Sequence, residues 1–287
     1  MVAYRFLRPD DLPLIVDGFN RCYRIHDPHL AELNLEAMKE EVLARNIWSS
    51  SCMVAREDGD VVGILIGAKR EEETGLMYLG VRSEFQRRGI AAHMLRSLSS
   101  KLAILGPPTL SAEIPDGPSP GKALLEGLGY LPEQTYFDLI LEEELPLVPI
   151  SPAVTHIPVA EGLKLLDGEA DAFCAWDRTN VGMRNRKNHL KCLALLSSDS
   201  ITAFLLYCRN GDNIIQIDRV FISDSRTQKP CLQILIRTLA QREGIPIKIN
   251  RICDEECHLE KLFEIGFIQT KKWLRYRCHA RSYESID

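Results

Sequence analysis

No apolar run in the 287-residue sequence approaches the roughly 20 residues that a helix needs to cross a bilayer. The opening stretch, Met-Val-Ala-Tyr-Arg-Phe-Leu-Arg-Pro-Asp-Asp, lacks the apolar core of a secretory signal. A soluble cytoplasmic protein with no membrane partner is the expectation. Lysine and arginine form no long runs, and with a formal charge of −5 and a pI near 5.9 the basic footprint of a nucleic-acid binder is missing. This balance suits a small cationic substrate better. The nine cysteines are odd in number and scattered, which argues against a disulfide framework. Their one cluster, Cys253 and Cys257 with His258, has no second pair at zinc-site distance, so no metal is expected.

With 45% hydrophobic residues, the chain has too much apolar material for one small core and suits two domains of roughly 140 residues. Residues 2 to 8 alternate as a strand and end at Pro9-Asp10-Asp11, a helix start. Helical patterns follow at 11–24 and 35–46. Ser51 to Arg56 and Val61 to Ala68, joined by Glu57-Asp58-Gly59-Asp60, make a hairpin, and Leu76 to Val81 makes a further strand. From Ile90 the period turns helical, with Ile90, Met94, Leu98, Leu102 and Leu105 on one face and Gly106 as the stop. A strand at Thr109 to Ile114 precedes a helix opened by Ser119 and Pro120 and closed at Leu128-Gly129-Tyr130. Thr135 to Leu141 is a strand, and the acidic, Pro-rich stretch from Glu142 to Pro152 reads as a linker.

The second half repeats this order: a strand at Val154 to Val159, helical patterns to about 198, then strands at Ile201 to Cys208 and Ile214 to Ile222. A helix opened by Pro230 and ended by Gly244 comes next. A short strand at Ile247 to Asn250, a helix to Ile265-Gly266-Phe267 and a final strand at Lys271 to Cys278 complete it. The expected organisation is a domain over 1–145 and a second, similar one over 153–287.

The chemistry concentrates in Gln86-Arg87-Arg88-Gly89-Ile90-Ala91, placed between a strand and an amphipathic helix. A helix N-terminus exposes unpaired N–H groups and partial positive charge, which makes an anion site when a loop wraps them around a diphosphate. Gly89 lets the backbone approach phosphate oxygens and Ala91 is nearly as small. Arg87 and Arg88 add positive charge, and Gln86 can brace the loop through its amide.

This segment resembles the Q/R-x-x-G-x-G/A motif of the GCN5-related N-acetyltransferase superfamily, and its position between strand and helix is similar too. The resemblance covers about residues 2 to 142 and, more faintly, the second half. It implies an α/β (α+β) fold of two tandem domains, each with a mixed, mostly antiparallel central sheet flanked by helices. It implies acetyl-CoA as cofactor, held by Leu79, Gly80, Val81, Gln86, Arg87, Arg88, Gly89, Ile90, Ala91 and Ala92. In the family the fourth and fifth strands splay at a bulge, which Gly80 would permit, and backbone near Leu79 and Val81 pairs with pantetheine amides. The activity implied is direct attack of a neutral amine on the thioester, which needs a base for the amine and an acid for the thiolate.

The family often places a Tyr on its fourth helix as that acid and an Asn at the helix start. Here those positions hold Leu125 and Pro118. Tyr130 and Tyr136 remain as proton donors, Glu113 is the base candidate, and Tyr78 lies where acceptor-binding groups occur. His26-Asp27-Pro28-His29 reads as a polar turn in a connection that often walls the acceptor site. His93 reads as a surface residue of the helix, and Glu71-Glu72-Glu73 as a solvated hairpin turn. The second copy has no glycine in Ser223 to Pro230 and is expected not to bind coenzyme A; it would close the acceptor pocket or build a homodimer. Two alternatives stand beside a small-molecule N-acetyltransferase: a coenzyme-A-binding regulator or scaffold without turnover, and a protein N-acetyltransferase.

Overall fold

The computed structural model describes every residue except 28–29, 147–150, 169–171, 198–199, 210, 212, 225–226 and 284–287. The chain forms two compact units, one of Met1–Glu133 with Arg275–Asp287 and one of Gln134–Leu274. These ranges differ from the contiguous domains expected at 1–145 and 153–287. The chain leaves the first unit inside one strand and re-enters it inside another, so neither boundary coincides with the Pro-rich stretch.

In the first unit β1 (Ala3–Phe6) leads to α1 (Leu12–Gly18), which continues as a π-helical turn over Phe19–Tyr23 and a 3-10 turn over Arg24–His26. After α2 (Leu35–Arg45) come β2 (Met53–Glu57), β3 (Asp60–Lys69) and β4 (Glu73–Val81). Helix α3 (Ile90–Leu105), β5 (Thr109–Pro115) and α4 (Pro120–Gly127) follow, and β6 (Leu131–Leu141) begins here. The sheet order is β1-β2-β3-β4-β5, antiparallel as far as β4 and parallel between β4 and β5.

Local chemistry accounts for the element ends. The Asn34 and Ser119 side chains accept from Ala37 N–H and Lys122 N–H and so cap α2 and α4. Helix α3 buries Ile90, Met94, Leu95, Leu98 and Leu102 against the β3 face that carries Gly63, whereas α1 packs on the opposite face at Ile64. Leu105, expected on the buried stripe, is 74% exposed because the last turn of α3 projects beyond the apolar layer.

The second unit contains β7 (Val154–Ile157), α5 (Val159–Leu165), α6 (Asn180–Asn185), β8 (Lys191–Ser197), β9 (Ser200–Arg209) and β10 (Ile215–Ile222). It continues with α7 (Gln228–Glu243), β11 (Ile247–Ile252), α8 (Leu259–Ile265) and the greater part of β12 (Ile268–His279). Within it β6 pairs antiparallel with β11, β11 parallel with β10, and β10, β9, β8 and β7 continue as an antiparallel series. Strand β8 corrects the helical expectation up to residue 198. Cys192, Leu193, Ala194 and Leu195 are all buried, so an inner strand covered on both faces shows an unbroken apolar run rather than alternation. The element order of the first unit is thus repeated in the second. Among the described residues no helix is long and apolar enough to cross a membrane, and no three His, Cys, Asp or Glu side chains gather as a metal site.

Candidate active site

The parallel ladder between β4 and β5 runs from Glu73↔Thr109 to Leu76↔Ala112 and stops, although β4 continues to Val81 and β5 to Pro115. The register of β4 against β3 shifts between Leu76 and Tyr78, which leaves Met77 as the bulge residue. Gly80 does not make this bulge. A Cβ there would stand 2.2 Å from the carbonyl oxygen of Cys22, so glycine is required because the π-helical backbone presses on the strand.

Backbone direction along β4 decides what the opening offers. Arg82 N–H bonds Val62 O at 3.0 Å, and Gly63 lies opposite Val81 in the antiparallel register. Alternation along the strand therefore points the polar groups of Gly80 toward β3 and those of Leu79 and Val81 toward the edge where pairing with β5 has ended. The Val81 carbonyl is taken there by His26 Nε2 at 2.9 Å and by Gln86 Nε2, which donates at 3.1 Å. Among the described residues, the N–H of Val81 and both polar groups of Leu79 are what remains on that edge.

The loop beyond β4 turns through two left-handed residues, Arg87 at φ 62° and Gly89 at φ 78°, and Gly89 is the N-cap of α3. Gly89 has an open flank: a Cβ built on it meets no atom within 4 Å. Among the described residues the N–H groups of Gly89, Ile90, Ala91 and Ala92 find no acceptor, and the first intrahelical bond is His93 N–H to Gly89 O at 2.9 Å. Open space beside unpaired N–H groups on a 16-residue helix fits a diphosphate. Arg88 is held over the Phe85 ring at 4.9 Å and donates to Glu84 O at 3.0 Å, while Arg82 lies over Phe85 at 5.4 Å and pairs with Glu84. His93 stacks on Tyr4, with ring centroids 3.8 Å apart, and burial followed by the nearby Arg96 charge lowers its pKa.

One wall of the opening is aromatic. Tyr78, the first residue past the bulge, meets Phe19 and Tyr23 edge-on at 5.0 and 4.9 Å, and its hydroxyl donates to Glu41 at 3.2 Å. Glu41 pairs in turn with Arg45 at 2.8 Å. Glu113 follows the last paired residue of β5 and so stands at the mouth of the opening.

The remaining candidates lie elsewhere. Tyr130 is 3% exposed, and its N–H bonds Leu125 O at 3.0 Å to close α4. Burial, then the adjacent Cys278 thiol, raises its pKa, and among the described residues its hydroxyl lacks a partner of bonding geometry. The residue read from the sequence as a proton donor is thus placed as a core phenol. Tyr136 belongs to the second unit, fully buried with Ala175 and Cys253. Leu125 is buried as well. Glu73 is no solvated turn charge, since it is 7% exposed and bound by Arg275.

The equivalent opening in the second unit is filled by protein. The β10–β11 ladder ends at Ile217↔Ile249, with a bulge at Asp218. There Arg178 Nη1 donates to Ile217 O at 3.0 Å and Asn250 O at 3.2 Å, bridging the diverging strands. The guanidinium is neutralised by Glu256, with Nε to Oε2 at 2.8 Å, and Arg219 lies 3.7 Å from the same carboxylate. Arg178, Glu256 and Arg219 are all deeply buried. Burial alone would raise the Glu256 carboxyl, but the two arginines hold it below its usual range. On α7, Lys229 pairs with Glu264 at 2.6 Å; Arg226 lies outside the described residues.

Residues 14–106 match the acetyltransferase (GNAT) family, covering α1 through the last turn of α3. Solved structures agree in fold over nearly the whole chain. A tandem GNAT protein from the clavulanic acid biosynthesis pathway is 13% identical with a TM-score of 0.68, covering 99% of this chain and 100% of that one. A GCN5-related N-acetyltransferase from Sphaerobacter thermophilus is 13% identical with a TM-score of 0.66, over 98% and 96% of the two chains. One from Anabaena variabilis is 12% identical with a TM-score of 0.66, over 98% and 73%. The segment that encloses the loop and α3 thus matches the acetyltransferase (GNAT) family, and the two units in one order of elements share the fold of a tandem GNAT protein.

Proposed function

We propose that the first unit binds acetyl-CoA and transfers its acetyl group to the amine of a small molecule, by direct attack in a ternary complex. The observation that carries this is the open flank of Gly89 beside the unpaired N–H groups of α3. Gly89 to Ala92 would hold the diphosphate, with Arg87 and Arg88 supplying charge. The free edge at Leu79 and Val81 would pair with the pantetheine arm, and an N–H there is placed to polarise a carbonyl. Acetyl-CoA supplies the activated acyl group; the chain orients it and manages protons.

Glu113 is the side chain at the mouth suited to take the amine proton, and Tyr78, rather than the core phenol Tyr130, is the hydroxyl beside the splay. Phe19, Tyr23 and Tyr78 form an aromatic wall with the Glu41 carboxylate, which suits a small acceptor carrying an amine. Thiol release from acetyl-CoA with a panel of small amines tests this. Amine-dependent release abolished by Glu113→Gln supports it; release that no amine stimulates sinks it. Bound coenzyme A without any release would instead favour a regulator or scaffold, a reading supported by Leu125 in place of the helix tyrosine.

A further inference from the structure

We propose that His26 is a positioning residue that joins the acceptor-side helical segment to the diphosphate loop and thereby sets where the N–H groups of α3 stand; this rests on the acetyl-CoA reading above. His26 Nε2 lies 2.9 Å from Val81 O and Gln86 Nε2 lies 3.1 Å from the same oxygen. A carbonyl only accepts, so the His26 tautomer at this contact carries its hydrogen on Nε2. The two nitrogens stand 3.2 Å apart, so both side chains crowd onto the one oxygen.

Both ends of this joint are mechanically committed. His26 closes the 3-10 turn that follows the π-helical segment, and at Gly80 the backbone of that segment meets β4 with no room for a Cβ. Phe19 and Tyr23, which line the acceptor wall with Tyr78, belong to the same segment. On the other side, Gln86 opens the loop that reaches Gly89 through the left-handed Arg87. Val81 is the last residue of β4, so its carbonyl is the point where the strand, the acceptor wall and the loop meet. Without the imidazole, Gln86 would be the side chain left on the Val81 carbonyl among the described residues.

The test compares donor-keeping and donor-less side chains at position 26. Glutamine carries its amide nitrogen as many bonds from Cβ as histidine carries Nε2, so it can reach the same oxygen. His26→Ala is expected to weaken acetyl-CoA binding by calorimetry, and to raise the KM for acetyl-CoA, by about tenfold. Its kcat at saturating acetyl-CoA and its melting temperature should stay near wild type. His26→Gln should restore affinity to within about threefold, and Gln86→Ala should cost more in the His26→Ala background than in wild type, because the two donors share one acceptor. Should His26→Ala not fold, His26→Asn, whose amide falls short of Val81, carries the same expectation. Wild-type affinity in His26→Ala, or a His26→Gln protein as weak as the alanine variant, overturns the proposal. A wild-type protein that takes up no acetyl-CoA overturns the underlying function instead, and the role of His26 with it.

Discussion

Arg275 donates from one guanidinium nitrogen to both carboxylate oxygens of Glu73, at 2.6 and 2.7 Å, across 202 positions of sequence. Glu73 opens β4, the strand that ends at the loop before α3, so this pair fastens the C-terminal strand to the first unit. Removing one partner of a buried pair leaves an uncompensated charge. Arg275→Met should therefore cost about 3 to 5 kcal/mol of unfolding free energy, and Glu73→Met with Arg275→Met should regain most of that loss. Chemical denaturation of the three proteins checks it.

The same pair sets a pH dependence. Burial works to raise the Glu73 pKa, and the Arg275 charge with the Ser111 hydrogen bond outweighs it, so the folded value lies below the usual one. A depressed folded pKa stabilises fully above the unfolded pKa of about 4.3 and loses that contribution as pH falls through the folded value. Melting temperatures taken downward from about pH 6 should fall less steeply for the double variant than for wild type.

The C-terminal segment also holds α3. Arg281 N–H donates to Ser99 Oγ at 2.9 Å and Ser99 Oγ donates back to Arg281 O at 3.0 Å, while Tyr283 N–H reaches Ser100 Oγ at 3.1 Å. The Arg281 guanidinium donates to Leu128 O at 3.0 Å, at the end of α4. Deleting residues 281–287 removes these bonds and should cost about 1 to 3 kcal/mol by denaturant titration, with acetyl-CoA affinity falling less than in any loop variant. An unchanged midpoint contradicts the role.

In the second unit, Arg178 takes the place that pairing atoms of a ligand would need between β10 and β11. Arg178→Met should destabilise the protein strongly, because Glu256 loses its closest partner, without creating a second cofactor site. Native mass spectrometry should count one coenzyme A per chain in wild type and variant alike. A second equivalent in the variant would mean that the guanidinium alone excludes the cofactor.

What the sequence made legible followed local rules. Ile90, Met94, Leu98 and Leu102 repeat at helical spacing, Ser119-Pro120 signals a helix start, and Gly89 stands where a left-handed N-cap is needed. Strand β8 was hidden because an inner strand lacks alternation. Contacts of long separation left no local trace: His26 to Val81 spans 55 positions and Arg178 to Glu256 spans 78. Gly80 was noticeable as a strand glycine, but its cause, the Cys22 backbone, is a tertiary contact. Tyr130 was a candidate because Leu125 holds the usual tyrosine position; its burial beside Cys278, on the C-terminal strand, is a contact of long separation.

The most direct measurement is calorimetric titration of acetyl-CoA into wild type and Gly89→Trp, with melting curves to verify folding. Gly89 sits at φ 78° beside open space, so an indole there would fill the flank and strain the turn. One equivalent bound by wild type and none by the variant is the expected result. Undiminished binding to a folded Gly89→Trp would show that the diphosphate does not sit on this loop.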